Sequence, residues 1–585
     1  MSNLLEEEGK SRRYFEYDDI FNHVKSFGSY QQKVAYGTCV MLIGQGIQFG
    51  HLLFVTGSPK FKCSTPNVTC GGINKCCTNC TSYEFDTMFT TVVSECEKLI
   101  RAVPCRAVPC RAVPCRAVPC RAVPCRAVPC RAVPCRAVPC RAWNLICDRA
   151  HLAAIIQSMF FVGMLVGSFM SGILSDAFGR RTVIFGTLGI MATCGVVQSF
   201  VGTSIPLFAA LRFGSGAFMI SATLSQFILM MEVIGPGYRA RMGNVNGFFW
   251  MVGDLIKILM AYFIRDWRTF VWVTSVPPFL LYLFLRIYPE SPRWFVVKGK
   301  LKPAHKIIMK YGGKDNKSCD PEQVMTMLTA IHDDQVLRNT TLKKHGVLDL
   351  LRTPKLRRWT IIMCFGWFTV SMISFALMIH ATQLPGNIYI ISLIFNALSA
   401  ILTPITWYSM CSLGRRLTHS GFMLLTGIVL LLILAIPKDY SIATTCLAVL
   451  GVVITNMEWS SVYLMTSELF PTVLRNTAQG VGSTAARVGG IAAPFLLMLA
   501  HLPGFGIILP MAIFGACAVA CGIMSLWLPE TTLRPLYQTT VEAEEYPEDY
   551  GIPYLIMKKR KSAMNEKSTD IVELENLVVD VETTV

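Results

Sequence analysis

The chain reads as an all-α membrane protein of twelve transmembrane helices, arranged as two pseudo-symmetric six-helix halves with a large loop between helices 1 and 2. Three observations predict this. The 585 residues are 52% hydrophobic and only 16% charged, with a mean hydropathy of +0.46, too apolar for a soluble protein of this size. Twelve runs approach the ~20 apolar residues needed to cross a bilayer. The third is an internal repeat: Gly172-Ile-Leu-Ser-Asp176-Ala-Phe-Gly179-Arg180-Arg181 is echoed by Cys411-Ser-Leu-Gly414-Arg415-Arg416. Met231-Glu232 to Arg239 is likewise echoed by Ser467-Glu468 to Arg475, and Pro289-Glu290 by Pro529-Glu530. The offsets of 235, 236 and 240 positions are nearly constant, as duplicated halves require.

In chain order the spans are expected over 33–56, 152–174, 183–202, 205–230, 243–264 and 269–288 in the first half. The second half supplies 360–381, 386–409, 418–437, 443–465, 477–501 and 507–528. Around them lie an N-terminal segment 1–32, an N-terminal half 33–288, an inter-half loop 289–358, a C-terminal half 360–528 and a tail 529–585. The first span directs insertion, since no short apolar core precedes it. Short loops rich in Lys and Arg stay cytoplasmic. The turns at Arg180-Arg181, Arg239-Arg241 and Arg415-Arg416, the 289–358 loop and the Lys558-Lys559-Arg560-Lys561 tail all fall on one side, with Arg265 and Arg268 as the exception. Both termini are therefore expected in the cytoplasm of a multi-pass protein, at the plasma membrane.

The net charge of +17 invites a nucleic-acid reading, but eight arginines belong to Arg-Ala-Val-Pro-Cys repeated eight times over 101–140, and removing them leaves +9. Proline at every fifth position forbids a continuous helix, and the five-residue period suits neither helix nor strand. Eight identical copies read as a tandem expansion or a gene-model error rather than a cysteine-rich stalk. The tract sits in loop 57–150 with Cys63, Cys70, Cys76, Cys77, Cys80, Cys96 and Cys147, which read as disulfides in an oxidising compartment. Asn67-Val-Thr69 and Asn79-Cys-Thr81 are glycosylation acceptors. No catalytic constellation, metal spacing or cofactor motif is present, so neither an enzyme nor a cofactor is expected.

Asp176-x-x-Gly179-Arg180-Arg181 resembles the signature of the major facilitator superfamily. Trp143-Asn-Leu-Ile-Cys-Asp-Arg149, Pro289-Glu-Ser-Pro-Arg-Trp294 and Ser467-Glu-Leu-Phe-Pro-Thr-Val-Leu-Arg-Asn476 narrow the resemblance to the organic cation, organic anion and carnitine transporters, the solute carrier family 22 type. It covers nearly the whole chain apart from the repeat and the tails. It implies the major facilitator fold, alternating access, and a small organic ion as substrate within the lipid bilayer. By their chemistry, Gly172 and Gly179 permit close backbone approach, and Asp176, Arg180 and Arg181 are able to bridge helix ends by charge-assisted bonds. Glu232, Arg239, Arg415, Arg416, Glu468 and Arg475 join them as candidate gating residues. Cys411 stands where the first half has Asp176, which argues for a weaker or differently wired second gate.

Ionisable groups inside spans line a cavity or pair with one another. Asp254 and Lys257 lie three apart and are able to neutralise each other, and the role of Glu458 is open. Arg487 is flanked by small residues in Gly480-Val-Gly-Ser-Thr-Ala-Ala-Arg-Val-Gly-Gly490 and, if unpaired, attracts a carboxylate; pairing with Asp254 or Glu458 is the structural alternative. In the resembled family an arginine at this position goes with anion and carnitine transport, although Thr403 stands about where some anion transporters carry a lysine. Trp250 and Phe375 are candidate ring faces for an organic ion, and Gln45 and Gln48, with His51, either line the cavity or bond between helices. The function expected is transport of a carboxylate-bearing organic anion or a carnitine-like zwitterion. The alternatives are an organic cation transporter and a transport-incompetent receptor with the same fold.

The chain ends Glu582-Thr583-Thr584-Val585, a pattern suited to capture by a PDZ domain that adds the peptide as an edge strand and binds its carboxylate. A tail peptide should bind such a domain, and the same peptide extended by one glycine should not; equal binding of the two by calorimetry removes the idea.

Overall fold

The computed structural model describes residues 17–57, 60–63, 83–85, 91, 145–201, 204–285, 288–311, 320–341, 346–384, 386–437, 440–501, 506–532, 537, 539–548 and 550–551. The repeat tract, Asn67, Asn79 and the C-terminal peptide lie outside them. Among the described residues eleven helices are long and apolar enough to cross a membrane. In the first half these are α1 (Ser29–Phe49, continued by His51–Phe54), α2 (Ala150–Phe178), α3 (Arg180–Phe200), α4 (Ile205–Val233) and α5 (Pro236–Phe263). The second half contains α7 (Pro354–His380), α8 (Ile388–Ser412), α9 (Arg415–Ala435), α10 (Ser441–Leu469), α11 (Arg475–Met498) and α12 (Ile508–Ser525). The helices overrun the apolar windows because their ends are set by Pro236, Pro354 and the Gly-Arg turns, outside the hydrophobic stretch.

The sixth span departs from expectation. It begins as α6 (Trp267–Ser275), then breaks into a short turn Pro277–Leu280 and a 3-10 segment Leu281–Phe284. Two adjacent prolines, Pro277 and Pro278, remove successive backbone donors and prevent one continuous helix. Arg268, the exception to the charge asymmetry, has a structural task. Its guanidinium donates to the carbonyls of Ser199 (3.1 Å) and Val201 (2.8 Å) at the end of α3, where a cation satisfies orphan acceptors.

Within the first half α2 and α4 meet backbone to backbone. A Cβ at Gly163 would lie 2.0 Å from the Phe213 carbonyl oxygen, and one at Gly167 would lie 2.1 Å from that of Ala217. Small residues four apart permit such an approach in lipid, where packing replaces the hydrophobic effect as the driving force. The two halves meet on the side of the long loop. Ser158 of α2 donates to the Ile491 carbonyl of α11 at 2.9 Å, and Phe161 and Phe375 place their rings 4.5 Å apart. Tyr389 of α8 contacts both Phe54 and Tyr262. The loop itself contributes a strand pair, Phe61–Cys63 with Tyr83–Phe85, and Cys63 and Cys147 are each in a disulfide.

On the opposite face, named here for its arginine turns, non-membrane segments clad each half. Tyr17, Ile20 and Phe21 pack with Ile308, Tyr311, Val324, Leu328 and Ile331 beneath the first half. Tyr537 and Ala543 pack against Leu350, Leu356 and Trp359 beneath the second. Glu548 closes the tail onto α7: it pairs with Arg358, accepts from Trp359 Nε1 at 3.1 Å and accepts from the Tyr550 hydroxyl. Burial opposes its charge, but the hydrogen bonds from Tyr550, Arg358 and Trp359 outweigh this and hold its carboxyl below the usual carboxylate range.

A depressed carboxyl stabilises the docked tail above the ordinary carboxylate pKa, and the contribution is lost as pH falls through the lowered value. Limited proteolysis should therefore find residues 539–551 protected near neutral pH, released in strong acid, and released already at neutral pH in Glu548→Gln.

Candidate functional site

Two charge clusters with the same wiring occupy the arginine face. At the turn between α2 and α3, Gly179 has φ +95° and the Glu290 carboxylate fits over it. The carboxylate accepts from the Arg180 amide at 2.7 Å and, with both oxygens, from the Arg181 amide at 3.1 Å. It thus caps the start of α3, where free amides and the helix dipole favour an anion. The Arg180 side chain reaches Glu232 of α4 in a two-pronged pair, 3.1 and 3.2 Å, and Asp176 at 3.0 Å. Arg181 donates to the Leu285 carbonyl at 2.5 Å.

In the second half Gly414 has φ +97°, and Glu530 accepts from the amides of Arg415 (2.8 Å) and Arg416 (3.2 Å). Arg415 grips Glu468 at 3.0 and 3.2 Å, and Arg416 donates to the Leu526 carbonyl at 3.2 Å. Cys411 is exposed and outside this network. The second cluster is thus wired differently at this position, without a counterpart of the Arg180–Asp176 pair, whose acid is 76% exposed and so contributes little. Thr531 and Thr532 add hydroxyl donors to Glu468 and Glu530, both at 2.7 Å.

These ion pairs each join helices of one half, not one half to the other. Arg239 and Arg475 stand apart from them. Arg239 takes Asp18 of the N-terminal segment in a two-pronged pair, 2.7 and 2.8 Å, and Arg475 donates to the Thr472 hydroxyl at 3.2 Å. Each arginine lies two turns beyond its glutamate across a Pro-containing bend that turns it away. Gly172 makes no close approach, since a Cβ there would meet open space.

Between the halves lies a cavity of about 190 Å³. Phe161 and Phe375 close it toward the long loop. Phe49, Trp250, Trp459 and Tyr463 line its walls with Thr223, Ser371 and Arg487. Tyr463, 46% exposed, lies toward the arginine-face end of α10, five residues before Glu468. Arg487 of α11 donates through Nη1 to its own helix at the Ser483 carbonyl (3.2 Å), its Nε is buried without a partner, and no carboxylate among the described residues pairs with it. Both acids that offered a structural alternative are engaged elsewhere: Asp254 with Lys257 at 2.5 Å, and Glu458 with His419.

Of the expected pocket residues, Arg487, Trp250 and Phe375 come together in the cavity. Asp254, Gln45 and Gln48 do not line it. Gln45 bonds α1 to α4, donating to Gln226 at 2.9 Å and accepting from Thr223 at 2.6 Å, and Gln48 is buried. His51 likewise bonds Thr274 at 2.7 Å. Glu290 and Glu530 are cluster members beyond the expected ones; the duplicated Pro-Glu is the signal for them. The aromatic walls Phe49, Phe161, Trp459 and Tyr463 carried none, because a ring facing a cavity and one facing lipid look alike in a sequence.

Gly179→Ala should lower the unfolding temperature in detergent. The backbone there, φ 95° and ψ 156°, is open essentially to glycine and costs another residue about 1–3 kcal/mol, and the added Cβ would lie 2.4 Å from a Glu290 carboxylate oxygen. Gly172→Ala, opening onto free space, should leave that temperature unchanged or raise it. Equal effects of the two substitutions would contradict the capping role of Glu290.

Comparison with known proteins agrees with this architecture. The family profile described as Sugar (and other) transporter matches residues 104–543. The organic cation transporter protein of Drosophila melanogaster is 29% identical over 91% of this chain and 95% of its own length. Human organic cation/carnitine transporter 2 is 34% identical over 68% of this chain and 70% of its own, and Xenopus laevis solute carrier family 22 member 6-B is 31% identical over 73% and 77%. Among solved structures, the partially occluded inward-open form of the E. coli xylose transporter XylE shares the fold at a TM-score of 0.53 and 18% identity, covering 66% of this chain and 90% of that one. The chain therefore belongs to the major facilitator superfamily and, within it, to solute carrier family 22, as a multi-pass membrane transporter and not an enzyme.

Proposed function

We propose that the protein carries a small carboxylate-bearing organic anion or zwitterion across the plasma membrane by alternating access, with the arginine face and both termini in the cytoplasm. The observation that carries this reading is Arg487, a guanidinium inside the cavity with no carboxylate partner among the described residues. A cation at membrane depth is expensive unless paired, and a substrate carboxylate supplies the pair in the planar, two-pronged geometry that suits guanidinium. The cavity is smaller than the ~300–1,000 Å³ typical of drug-sized ligands, which favours a compact substrate. The rings of Trp250, Phe49, Phe375 and Trp459 around it offer electron-rich faces to an ammonium group. That favours a zwitterion, and it is also the specific support for the second reading, an organic cation. A relative bearing the name organic cation/carnitine transporter is consistent with either.

The charge clusters support gating by a route other than a latch between halves. They brace α2, α3, α4 and the end of the sixth span into one body, and the equivalent helices into another, so that access changes at the interface between the bodies. The receptor alternative drew on Cys411 and on the repeat-bearing loop; the second cluster makes its capping and Arg415–Glu468 bonds without an acid at Cys411, and the repeat lies outside the described residues.

Radiolabelled uptake of an anion, a zwitterion and a cation, at matched surface expression, tests the reading. Arg487→Ala should weaken carboxylate substrates by about ten- to a hundredfold, the ~1.5–3 kcal/mol of a hydrogen bond to a charged group. Arg487→Lys should recover part of it. Normal carboxylate uptake by Arg487→Ala, with the cation as the better wild-type substrate, would move the cation reading to first place.

A further inference from the structure

Inside the second half, away from the cavity, α10 and α9 bury an acid and a base against each other. Glu458 and His419 are both fully buried, and Nδ1 of the imidazole meets Oε1 of the carboxylate. The other atom of each, Glu458 Oε2 and His419 Nε2, is buried without a hydrogen-bond partner. From α7 the neighbour is Gly366, where a Cβ would lie 3.4 Å from His419 Nε2. From α12 it is the buried Cys521 thiol, which interacts with the imidazole. Among the described residues no Lys, Arg or second carboxylate forms an ion pair with the pair.

Such a pair has one stable proton count. With a single proton shared between Nδ1 and Oε1 the site is net neutral. A second proton leaves one uncompensated positive charge, and loss of the shared proton leaves one uncompensated negative charge. Each costs several kcal/mol away from water. The proton is therefore locked in as long as the site is closed, and it exchanges only when movement of α9 or α10 admits water. The same stretch of α10 reaches the cavity. Trp459, the residue after Glu458, lines it and donates to Ser374 of α7 at 3.0 Å, and Tyr463, just over one turn on, lines it as well. A change of protonation at Glu458 thus acts on two walls of the cavity through one rigid helix.

We propose that Glu458 and His419 form a proton-binding site that couples this transporter's cycle to proton movement across the membrane. The shared proton is taken from water on one side and given up to water on the other as the halves change access. Ionisable groups buried in spans commonly serve as such relays, and here the acid and the base each keep one atom without a hydrogen-bond partner.

The test has two arms on the purified full chain. In lipid nanodiscs, infrared difference spectra before and after a rise in pH should contain the loss of the carboxyl band of the shared proton, which leaves when the site opens to water. Glu458→Gln should remove that band, and Glu458→Asp should keep it. In phosphatidylcholine–phosphatidylethanolamine liposomes held at zero potential, uptake of L-carnitine, benzoate and tetraethylammonium is measured with and without a one-unit pH gradient, imposed in each direction. At one proton per substrate the favourable gradient supports up to about tenfold accumulation, and the ratio of uptake with to without it should fall to one in Glu458→Gln and His419→Gln. A spectrum that Glu458→Gln leaves unchanged overturns the proton site, even if uptake is normal. A band that responds as stated, with wild-type uptake indifferent to the gradient, overturns the coupling. If the band responds but none of the three probes is transported, the proton site stands and the substrate reading fails instead.

Discussion

The arrangement of this protein depends on one short-range interaction made twice: a glutamate carboxylate set over a positive-φ glycine at the start of a membrane helix. Glu290 over Gly179 and Glu530 over Gly414 each accept the first two backbone amides of the helix, groups that otherwise have no partner at a helix start. In each case the first arginine of the turn carries the constraint sideways, Arg180 to Glu232 and Arg415 to Glu468. Three elements of each half that are distant in sequence are thereby tied at one level of the membrane. Lipid supplies no hydrophobic pressure to hold helices together, so these polar ties and the glycine contacts of α2 with α4 perform that task.

A half braced in this way moves as a unit, which is the mechanical condition for alternating access around a central site. Contacts between the halves are of a different kind. The Phe161–Phe375 and Phe54–Tyr389–Tyr262 contacts are ring faces without buried charge, and Ser158 to Ile491 is one hydrogen bond. Interfaces of this sort separate without stranding an unpaired ion. Arg487 is the counterexample, since it faces the space between the halves with its charge uncompensated. Among the described residues the charged groups of the interior thus divide into those that brace, Arg487 at the cavity, and Arg212 of α4, buried against the Phe160 ring without a hydrogen-bond partner.

Much of this was legible before any coordinates. The repeated Gly-Arg-Arg, Glu-to-Arg and Pro-Glu segments disclosed the two halves, and the small residues around Arg487 singled out a side chain that the structure places in the cavity. What escaped followed from partners far apart in sequence. Neither Arg239 nor Arg475 announces that it joins Asp18 or Thr472 rather than the glutamate beside it. Gln45 and a cavity-lining polar residue have the same signature until the facing helix is known, and Asp254 neutralises Lys257 because three residues is also a helical neighbour distance. The break in the sixth span was written in Pro277-Pro278 but was overridden by hydropathy, which registers apolar length and not backbone continuity.

Rigid halves rocking against each other is the claim on which the rest turns, and distances between site-specific spin labels in lipid nanodiscs test it most directly. One pair should sit across the halves on the arginine face, at Ile173 and Val473, both exposed. The other should sit within the first half, at Ile173 and the exposed Arg241. The account predicts two populations of distance for the pair across the halves and a single narrow one for the pair within a half. A within-half distance that splits or shifts together with the other would mean that the clusters do not brace, and would contradict it.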